Sequence, residues 1–555
     1  MQKVWLKFYE KNVPHSIDYP PKTLVQFMQE TVQTFPEKTA FTYFGAKTSY
    51  AGLNRQISQF ATALWRLGVK KGDRVAIMLP NIPQYVVAHF ATLKLGAIIV
   101  PTNPLYVERE LKHQLNDSSA ETLVALDSHS VKINAVRGQT KLQNIIYTKA
   151  QKYLPVHLKI LYSLKVSTKG DTGKIERGPG IHVYDELLSE SFPVSLPDIS
   201  IAPSDTAIFL YTGGTTGVSK GAVLTHRNLV TNVIQISRWY GEINRGNEVV
   251  LCALPFFHSY GLTTCLHMGV FLASKMVLIP DPRNIKSLLT AIQTEKVTLF
   301  SGVPTLYVAI NNFPDVKNYD LSSVKACLSG GAPLPIKVAK QFEAISNGRL
   351  VEGYGLSETS PVTHANPVKG KRKEGSIGIP LPDTDAKIVD PKTKKELPVG
   401  EVGELAVRGP QVMQGYWNMQ QETEAILRDG WLFTGDIAKM DEDGYFYIVD
   451  RKKDMIIAGG FNIFPREIEE VLFEHPKVLE AAVIGVPDEY RGETVKAFIV
   501  PKENEILTQQ EIIAYCKKRL APYKTPKLVE FIDSLPKSNV GKILRRKLRE
   551  IDGKS

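Results

Sequence analysis

The stretch LGVKKGDRVAIMLPNIPQYVVAHFATLKLGAIIV (Leu67–Val100) decides the fold class. It contains two short apolar runs, RVAIML (Arg74–Leu79) and AIIV (Ala97–Val100), which have the length and composition of buried strands. Between them, Gln84–Leu95 is typical of a helix, and Gly96 follows as a C-terminal stop. A strand, a helix and a second strand in this order predict parallel α/β layers.

The same alternation extends along most of the chain. Before the quoted stretch, apolar residues from Leu53 to Leu67 recur at three- and four-residue steps and predict an amphipathic helix that ends at Gly68. After Thr206 the alternation of strands and helices resumes and continues to about Leu397. From Gly400 onward, short alternating runs such as GELAVRG and GYFYIVD predict antiparallel strands instead.

The last hundred residues form a unit of their own. Pro465 opens a predicted helix, the strand-like runs AAVIGV and VKAFIV follow, and Thr508–Glu511 has the pattern of a capping box. We therefore predict an α/β protein with two domains. The large N-terminal domain, residues 1–450, has layered α/β subdomains and a β-rich subdomain, and residues 451–555 form a small α+β domain.

Composition excludes several classes of protein. The 555 residues are 43% hydrophobic and 23% charged, which is ordinary for a globular chain and excludes a disordered or fibrous one. The four cysteines are scattered without a CxxC pair, so neither a disulfide framework nor a structural zinc site is expected. We find no signal-peptide core and no uninterrupted run of about 20 apolar residues. The sequence predicts a cytoplasmic protein.

The chain is basic, with 68 Lys+Arg against 57 Asp+Glu. Residues 451–555 hold 20 basic and 16 acidic residues, and the remainder holds 48 and 41, so the excess is spread along the chain. Spread charge argues against a nucleic-acid partner and fits small polyanions. One segment, Lys149–Arg177, is locally basic and has LKILYSL at its centre. It is interpreted as a solvated surface insertion, and peripheral contact with an anionic membrane is the alternative.

The segment YTGGTTGVSKGAVLTH (Tyr211–His226) is the strongest local indication of chemistry. A predicted strand runs into a loop that contains glycines, hydroxyls and Lys220. Glycines allow backbone N–H groups to approach a phosphate, and the hydroxyls and the lysine add donors and charge. The Walker A spacing is absent. The alternatives are therefore a phosphate-binding loop and a plain turn.

A second segment, EGYGLSETSP (Glu352–Pro361), places an aromatic ring, a hydroxyl and a carboxylate close together in Tyr354, Ser357 and Glu358. Such a loop is suited to stacking a base, bonding a phosphate oxygen and holding Mg²⁺. It is not a GxSxG nucleophile elbow, because threonine follows Glu358. The alternative interpretation is a helix-capping turn.

The C-terminal third supplies further candidates. DGWLFTGD ends in Asp436 and YIVDRKKDMI contains Arg451, a carboxylate and a guanidinium suited to a ribose diol and a phosphate. LPKSNVGKILRRKLRE carries Lys542 after a glycine. That lysine is either a functional cation or part of an ordinary basic tail.

Together these segments resemble the adenylate-forming superfamily of acyl-CoA synthetases, nonribosomal peptide adenylation domains and beetle luciferases. The resemblance runs from about Thr23 to Leu548. Within the superfamily, DGWLFTGDIAKMDEDGYFYIVDRKKDMI is similar to the signature of long-chain fatty-acyl-CoA synthetases, and LPNIPQ and LGAIIVPTNPLY are similar to bacterial members of that branch.

The resemblance implies a reaction in two halves. ATP and a carboxylate give an acyl-adenylate and pyrophosphate, and the thiol of coenzyme A then displaces AMP. Fatty acid, ATP and coenzyme A are the implied substrates, with Mg²⁺ beside the triphosphate. The C-terminal domain is expected to swing between the two halves. Oligomeric state stays open, and a homodimer is one option.

The resemblance also implies a role for each motif. Lys542 would neutralise the two anions that meet in the first step, Ser357 would contact the α-phosphate, and Glu358 would hold Mg²⁺ together with Thr216. The implied phosphate loop is Thr212, Gly213, Gly214, Thr215, Thr216, Gly217 and Lys220. The implied adenine and ribose contacts are Gly330, Gly331, Ala332, Pro333, Tyr354, Gly355, Asp436 and Arg451.

Three further regions complete the implied site. Lys453 corresponds to the hinge, and Gly459 and Gly460 to the channel for the pantetheine arm. The implied acyl site contains Phe256, His258, Gly261 and Val303. For His258, a role in the acyl site and a packing role stay open.

The function predicted is a long-chain fatty-acid–CoA ligase that forms AMP. A ligase for medium-chain or aryl acids is the alternative within the class. Outside it, the rivals are a nucleotide- and lipid-binding protein without activity, and a phosphotransferase. The presence of Lys542, Glu358, Asp436 and Arg451 argues against the first, and the absence of Walker A and kinase signatures argues against the second.

Overall fold

A computed structural model describes residues 3–155, 157–159, 175, 177–190, 196–212, 219–241, 243–451, 454–458, 461–488, 491–538 and 543–553. The described part is a mixed α/β structure with four sheets. Three of these sheets lie before residue 452 and the fourth lies after it.

The first sheet is built around the stretch that predicted the fold. Arg74–Met78 pairs in parallel with Ile98–Pro101 on one side and Thr122–Leu126 on the other. The helix Pro83–Lys94 connects the first two and is buried along its whole length except for its last residue. In spatial order the strands are Gly415–Tyr416, Lys220–Thr225, Thr206–Thr212, Ile98–Pro101, Arg74–Met78, Thr122–Leu126, Asn144–Thr148 and Ile181–Val183.

The second sheet is parallel in its centre and antiparallel at both ends. Its parallel centre runs from Thr39–Tyr43 to Arg349–Gly355. In spatial order the strands are Ile379–Pro380, Val362–Ala365, Arg349–Gly355, Ala326–Ser329, Leu299–Gly302, Val249–Cys252, Lys275–Leu278, Thr39–Tyr43 and Ala46–Ser49.

Helices cover these sheets as their sequence patterns predict. Tyr50–Arg66 begins at Ser49, whose side chain accepts a hydrogen bond from the Gly52 N–H. Its residues Leu53 and Phe60 are fully buried, and each such side chain contributes about 1.5–3 kcal/mol. The other helices of seven or more residues in this part are Leu24–Thr34, Glu108–Ser118, Ser130–Arg137, Tyr184–Glu190, His226–Trp239, Ile285–Glu295, Pro304–Asn311, Ile336–Ser346 and Gln420–Ile426, and three short helical segments follow one another in Ser259–Gly261, Leu262–His267 and Met268–Phe271.

The third sheet is the predicted β-rich subdomain. It begins with Asp385–Val389, earlier than the change of pattern at Gly400 suggested, because Asp385–Val389 pairs antiparallel with Gly403–Arg408. The remaining strands are Leu427–Arg428, Trp431–Met440 and Phe446–Arg451. All of its pairings are antiparallel, as predicted.

The C-terminal part has its own sheet and its own core. Its strands are Phe461–Ile463, Ile456–Ala458, Gly492–Pro501, Val478–Asp488 and Leu528–Phe531, and its helices are Pro465–Glu474, Gln509–Lys517 and Arg545–Asp552. The predicted capping box is half formed. The Thr508 hydroxyl accepts from the Glu511 N–H at 3.1 Å, whereas the Glu511 carboxylate lies 3.5 Å from the Lys477 ammonium.

One buried ion pair connects this part to the large body. Arg466, at the start of its helix, lies 3.6 Å from the carboxylate of Glu352 and donates to the Ile448 carbonyl at 2.9 Å. Burial raises the pKa of Glu352 to about 7, although Arg466 opposes the shift. Glu352 stands two residues before Tyr354, so the C-terminal part contacts the strand that leads into the candidate site.

Candidate functional site

The candidate site lies at the carboxyl ends of the central strands of the second sheet. Ala326–Ser329 leads directly into Gly330–Pro333, and Arg349–Gly355 ends at Tyr354 and Gly355. Phe256 follows Val249–Cys252, and Val303 follows Leu299–Gly302. Parallel strands present their carboxyl ends at one edge of a sheet, which is where open α/β sheets bind ligands. Four separate segments of the sequence prediction therefore meet at one edge.

Gly355 makes the sharp bend after Tyr354. A Cβ atom at this position would lie 1.9 Å from the carbonyl oxygen of Pro361, so only glycine fits without a backbone shift. The Leu356 N–H then donates to the same carbonyl at 3.1 Å, and a 3₁₀ turn, Ser357–Thr359, follows. This tight turn sends the side chains of Tyr354, Ser357 and Glu358 toward three different neighbours.

Tyr354 contacts the third sheet. Its hydroxyl donates to Oδ2 of Asp436 at 2.6 Å, and Asp436 is only 4% exposed. Arg451 is the register partner of Asp436 on the adjacent strand. The Tyr354 ring packs edge-on against His364 at 5.9 Å between centroids, and burial lowers the pKa of His364 to about 3. The Tyr354 side chain therefore stands between the Asp436 carboxylate and a neutral imidazole.

Ser357 contacts the segment that was predicted to form the acyl site. Its Oγ lies 3.3 Å from Oγ of Ser259, the residue after His258. The His258 side chain caps the next turn, because its Nδ1 accepts from the Tyr260 N–H at 3.3 Å. The Tyr260 ring in turn packs against Gly330, where an added Cβ would lie 3.2 Å from the ring. The half-buried His258 side chain thus has a local backbone partner, and its role in the acyl site stays a prediction.

The predicted acyl segment around Phe256 is fixed by hydrogen bonds from buried polar side chains. The Phe256 N–H donates to Oδ1 of Asn81 at 2.9 Å, and its carbonyl accepts from the Tyr85 hydroxyl at 2.9 Å. An added Cβ on Gly261 would lie 2.4 Å from the carbonyl oxygen of Pro255. Val303 lies nearby, since an added Cβ on Gly331 would be 3.6 Å from its Cγ1. Phe256 and Gly261 therefore belong to a tightly packed wall, and the partly buried Val303 packs against the same hydrophobic core.

The predicted phosphate loop joins two paired strands, which together are called the phosphate hairpin below. Thr206–Thr212 and Lys220–Thr225 pair antiparallel, with Thr212 opposite Lys220. The Ser219 hydroxyl donates to the Thr212 carbonyl at 2.6 Å and closes the base of the loop. The Lys220 ammonium forms an ion pair with Glu422 and lies 5.3 Å from the centre of the Tyr416 ring.

Glu358 lies beside this hairpin. Its Oε1 accepts a hydrogen bond from the Tyr416 hydroxyl at 2.6 Å, and its backbone carbonyl accepts from the Met413 N–H at 2.8 Å. The Glu358 carboxylate next to the predicted phosphate loop suits Mg²⁺, which takes one or two carboxylates and completes its shell with phosphate oxygens and water. Within the described ranges there is no group of three or more His, Cys, Asp or Glu side chains arranged to hold a metal by themselves. The donor set therefore fits a magnesium ion that arrives with a polyphosphate.

Sequence reasoning missed two members of this cluster. Tyr416 belongs to a two-residue strand, and Glu422 lies on the short helix Gln420–Ile426. Tyr416 contacts Glu358, which is 58 positions away in the sequence, and Glu422 contacts Lys220, which is 202 positions away. Nothing in the local pattern of either segment indicates these contacts.

Several predicted residues lie outside the described part of the chain, so their predicted roles stay predictions. They are Gly213, Gly214, Thr215, Thr216, Gly217, Lys453, Gly459, Gly460 and Lys542.

The basic segment Lys149–Arg177 is described at its two ends. Lys152 pairs with Asp185, and Arg177 pairs with Glu186. Both acidic partners belong to the helix Tyr184–Glu190 of the same domain. Lys165, Lys169 and Lys174 lie outside the described residues. None of the helices in the described part of the chain has the length and apolarity that crossing a bilayer requires.

Comparison with known proteins adds to this geometry. The profile of the family described as AMP-binding enzyme matches residues 28–417, and that of the AMP-binding enzyme C-terminal domain matches residues 467–542. A long-chain-fatty-acid–CoA ligase of Bacillus subtilis (strain 168) is 46% identical over 99% of this chain and 98% of its own.

Two solved structures extend the similarity to the fold. The anthranilate CoA ligase AuaEII in complex with anthranoyl-AMP superposes with a TM-score of 0.86 at 26% identity, covering 96% of this chain and 98% of its own. The ATP-bound MatB of Rhodopseudomonas palustris superposes with a TM-score of 0.82 at 30% identity, covering 95% and 98%. These similarities include both the large body and the C-terminal part.

Proposed function

The chain belongs to the AMP-binding enzyme family, and on this premise we propose that it is an AMP-forming long-chain fatty-acid–CoA ligase. In the first half-reaction a carboxylate oxygen of the fatty acid attacks the α-phosphorus of ATP, and pyrophosphate leaves. In the second, the thiol of coenzyme A attacks the acyl carbonyl carbon of the adenylate, and AMP leaves. The substrates are the fatty acid, ATP with Mg²⁺, and coenzyme A.

The order of contacts along Tyr354–Glu358 carries the proposal. Tyr354 contacts Asp436, Ser357 contacts the acyl segment at Ser259, and Glu358 contacts the phosphate hairpin through Tyr416. An extended nucleotide needs the same order, with base and ribose first, the α-phosphate beside the acid, and the β- and γ-phosphates with Mg²⁺ last. One short turn therefore supplies a contact for each part of ATP.

In this proposal the nucleotide lies along the sheet edge. The adenine lies between Tyr354 and Gly330–Pro333, and the ribose hydroxyls donate to Asp436, with Arg451 on the adjacent strand. Ser357 donates to the α-phosphate. The hairpin from Thr212 to Lys220 holds the β- and γ-phosphates, and Glu358 with Thr216 would hold Mg²⁺, which lowers the charge repulsion at the triphosphate.

The adenylation step brings two anions together, so its barrier depends on cations placed between them. We assign that part to Lys542. The 3.3 Å approach of Ser357 to Ser259 supports the geometry, because it puts the α-phosphate contact beside the acyl segment. Tight positioning of the acid and ATP adds to the rate by removing the entropy cost of their encounter.

The second half-reaction is assigned to the C-terminal domain, taken as residues 451–555. A swing about Lys453 would withdraw Lys542 and bring Gly459 and Gly460 to the pantetheine arm. Glycines at that point let the arm approach the backbone closely. The contact of Arg466 with Glu352 supports a connection between this domain and the strand that carries Tyr354.

The test is an assay of purified protein with ATP, Mg²⁺, coenzyme A and a panel of carboxylic acids. We expect release of AMP and pyrophosphate that depends on a long-chain fatty acid. Preference for a benzoic or anthranilic acid would support the aryl-acid alternative, which the similarity to AuaEII keeps open. Release of ADP, or no turnover with any acid, would refute the ligase.

We further propose that the protein is cytoplasmic and that residues 149–177 form a solvated insertion. The pairing of Lys152 with Asp185 and of Arg177 with Glu186 supports this, because it leaves less free positive charge at the two ends. Cosedimentation with anionic liposomes that disappears when Lys159, Lys165 and Lys169 are neutralised would instead establish membrane contact through this segment.

A further inference from the structure

Tyr416, which the sequence did not single out, joins the proposed metal carboxylate to the phosphate hairpin. Its hydroxyl donates to Oε1 of Glu358 at 2.6 Å. The face of its ring carries the ammonium of Lys220 at 5.3 Å from the centroid. The two contacts use different parts of one side chain, so a substitution can remove the first and keep the second.

The backbone of Tyr416 is fixed by the same hairpin. Gly415–Tyr416 pairs antiparallel with Lys220–Thr225, and Tyr416 lies opposite Ala222. The Tyr416 N–H donates to Oγ1 of Thr423 at 2.9 Å, and the next residue donates its N–H to the Gly221 carbonyl at 2.8 Å. The ring is therefore tied to the strand that begins at Lys220, and a shift of the hairpin would be transmitted to Glu358.

The hydroxyl also fixes which oxygen of Glu358 is open. Oε1 is held by Tyr416, whereas Oε2 makes no hydrogen bond within the described part of the chain. A phenol carries its proton at neutral pH, so the Tyr416 hydroxyl is the donor in this hydrogen bond. Metal-binding carboxylates are commonly oriented by such outer hydrogen bonds, and loss of one typically costs about 10- to 100-fold in metal affinity or activity.

We propose that Tyr416 is a positioning residue that holds Glu358 in the rotamer presenting Oε2 to Mg²⁺ and keeps Lys220 on the phosphate side of that ion. The inference rests on the proposed function, because it takes Glu358 as the magnesium carboxylate. It adds a direct connection between the metal site and the phosphate loop, through one tyrosine.

The test measures how much Mg²⁺ strengthens nucleotide binding. Calorimetric titration with α,β-methylene-ATP gives one Kd without Mg²⁺ and one with it. The first divided by the second is the ratio that measures the gain from Mg²⁺. We expect Tyr416→Phe to lower this ratio about 10- to 100-fold and to leave the metal-free Kd within about twofold, since the ring under Lys220 remains. Tyr19→Phe is the matched control, because the Tyr19 hydroxyl donates to Oδ2 of Asp383 at 2.8 Å, away from the site. Its ratio should equal that of the wild type.

A double-mutant cycle separates positioning from a general structural effect. Glu358→Gln should abolish the same gain from Mg²⁺, and Tyr416→Phe added to it should change nothing further. Four results would each overturn the proposal. In the cycle, the losses of the two substitutions would add. In Tyr416→Phe alone, the ratio would be unchanged, or nucleotide binding would weaken equally with and without Mg²⁺. In the wild type, Mg²⁺ would not change the Kd. No fatty acid enters this measurement, so a protein that shows the expected coupling and yet releases no AMP would refute the ligase alone.

Discussion

The proposed nucleotide side and the proposed acyl side of the candidate site, called below the nucleotide side and the acyl side, differ in their charged groups. On the nucleotide side, Asp436, Glu358 and Lys220 each contact a polar partner. On the acyl side, the Tyr85 ring lies between Phe256 and His89, and the buried His89 and His267 face each other with 2.9 Å between their Nε2 atoms. Burial lowers the pKa of both, that of His267 to about 3.

The proposed function explains this difference by what each side would bind. A polyanion requires charges that stay ionised and oriented, whereas an alkyl chain requires a wall without charge. Substitutions on the nucleotide side should therefore change catalysis and ATP binding, and those on the acyl side should change stability and its dependence on pH.

The largest effect is expected at Lys542. Lys542→Ala should lower the rate of acyl-adenylate formation by about 10²- to 10³-fold, because a preorganised cation at the reacting anions is lost. Thioester formation from supplied acyl-adenylate should keep its rate. Pyrophosphate release and acyl-CoA formation, measured separately, check this, and an equal loss of both would show that Lys542 does not act in one half-reaction.

Asp436→Asn should come next. Hydrogen bonds to a charged group contribute about 1.5–3 kcal/mol, so the Kd for ATP should rise about 10- to 100-fold. Asp443→Asn is the control, since Asp443 pairs with Lys371 and Lys373 at the surface of the same subdomain. If Asp436→Asn instead raised the KM for the fatty acid and left ATP binding unchanged, Asp436 would belong to the acyl side, and its assignment to the nucleotide side would be wrong.

On the acyl side, Gly261→Ala should destabilise the protein. The added Cβ would meet the backbone oxygens of Pro255 at 2.4 Å and Leu254 at 2.6 Å, which cannot rotate away. Overpacking typically costs about 1–3 kcal/mol, and we expect the upper part of that range. Gly138→Ala is the control, because an added Cβ there meets no atom within 4 Å. Equal thermal midpoints for the two variants would contradict the close packing of this wall.

The two sides also differ in what the sequence could predict. The layer around Leu67–Val100 was predictable because strand and helix periodicity is local, and the structure confirms it. The contact of Tyr354 with Asp436 spans 82 positions, and that of Asn81 with Phe256 spans 175. No local pattern encodes such pairs. The resemblance named Asp436 and Glu358, but it did not name Tyr416 or Asn81, whose positions depend on how the sheets pack.

The smallest expected effect tests the neutral histidines of the acyl side. His267 has a folded pKa of about 3 and an ordinary value of 6.5, so below pH 6.5 the unfolded chain binds more protons than the folded one. The contribution of such a group to stability is therefore full above pH 6.5 and falls as the pH drops toward 3, by about 1.4 kcal/mol per pH unit. Between pH 6.5 and 5, His267→Gln should remove about 1.5 kcal/mol of that fall. Exposed His15→Gln should leave the slope unchanged.

Tryptophan fluorescence during urea denaturation at several pH values measures this slope for the large body, which contains His267. Trp5, Trp65, Trp239, Trp417 and Trp431 all precede residue 451, so the signal comes from the large body and not from the C-terminal part. The comparison uses the change of the unfolding free energy with pH. The loss of stability that the substitution causes at every pH therefore cancels. If His267→Gln and the wild type lose stability in parallel, His267 takes up its proton in the folded state over the same pH range as in the unfolded chain. The acyl side would then hold a buried charge, and the contrast with the nucleotide side would fail.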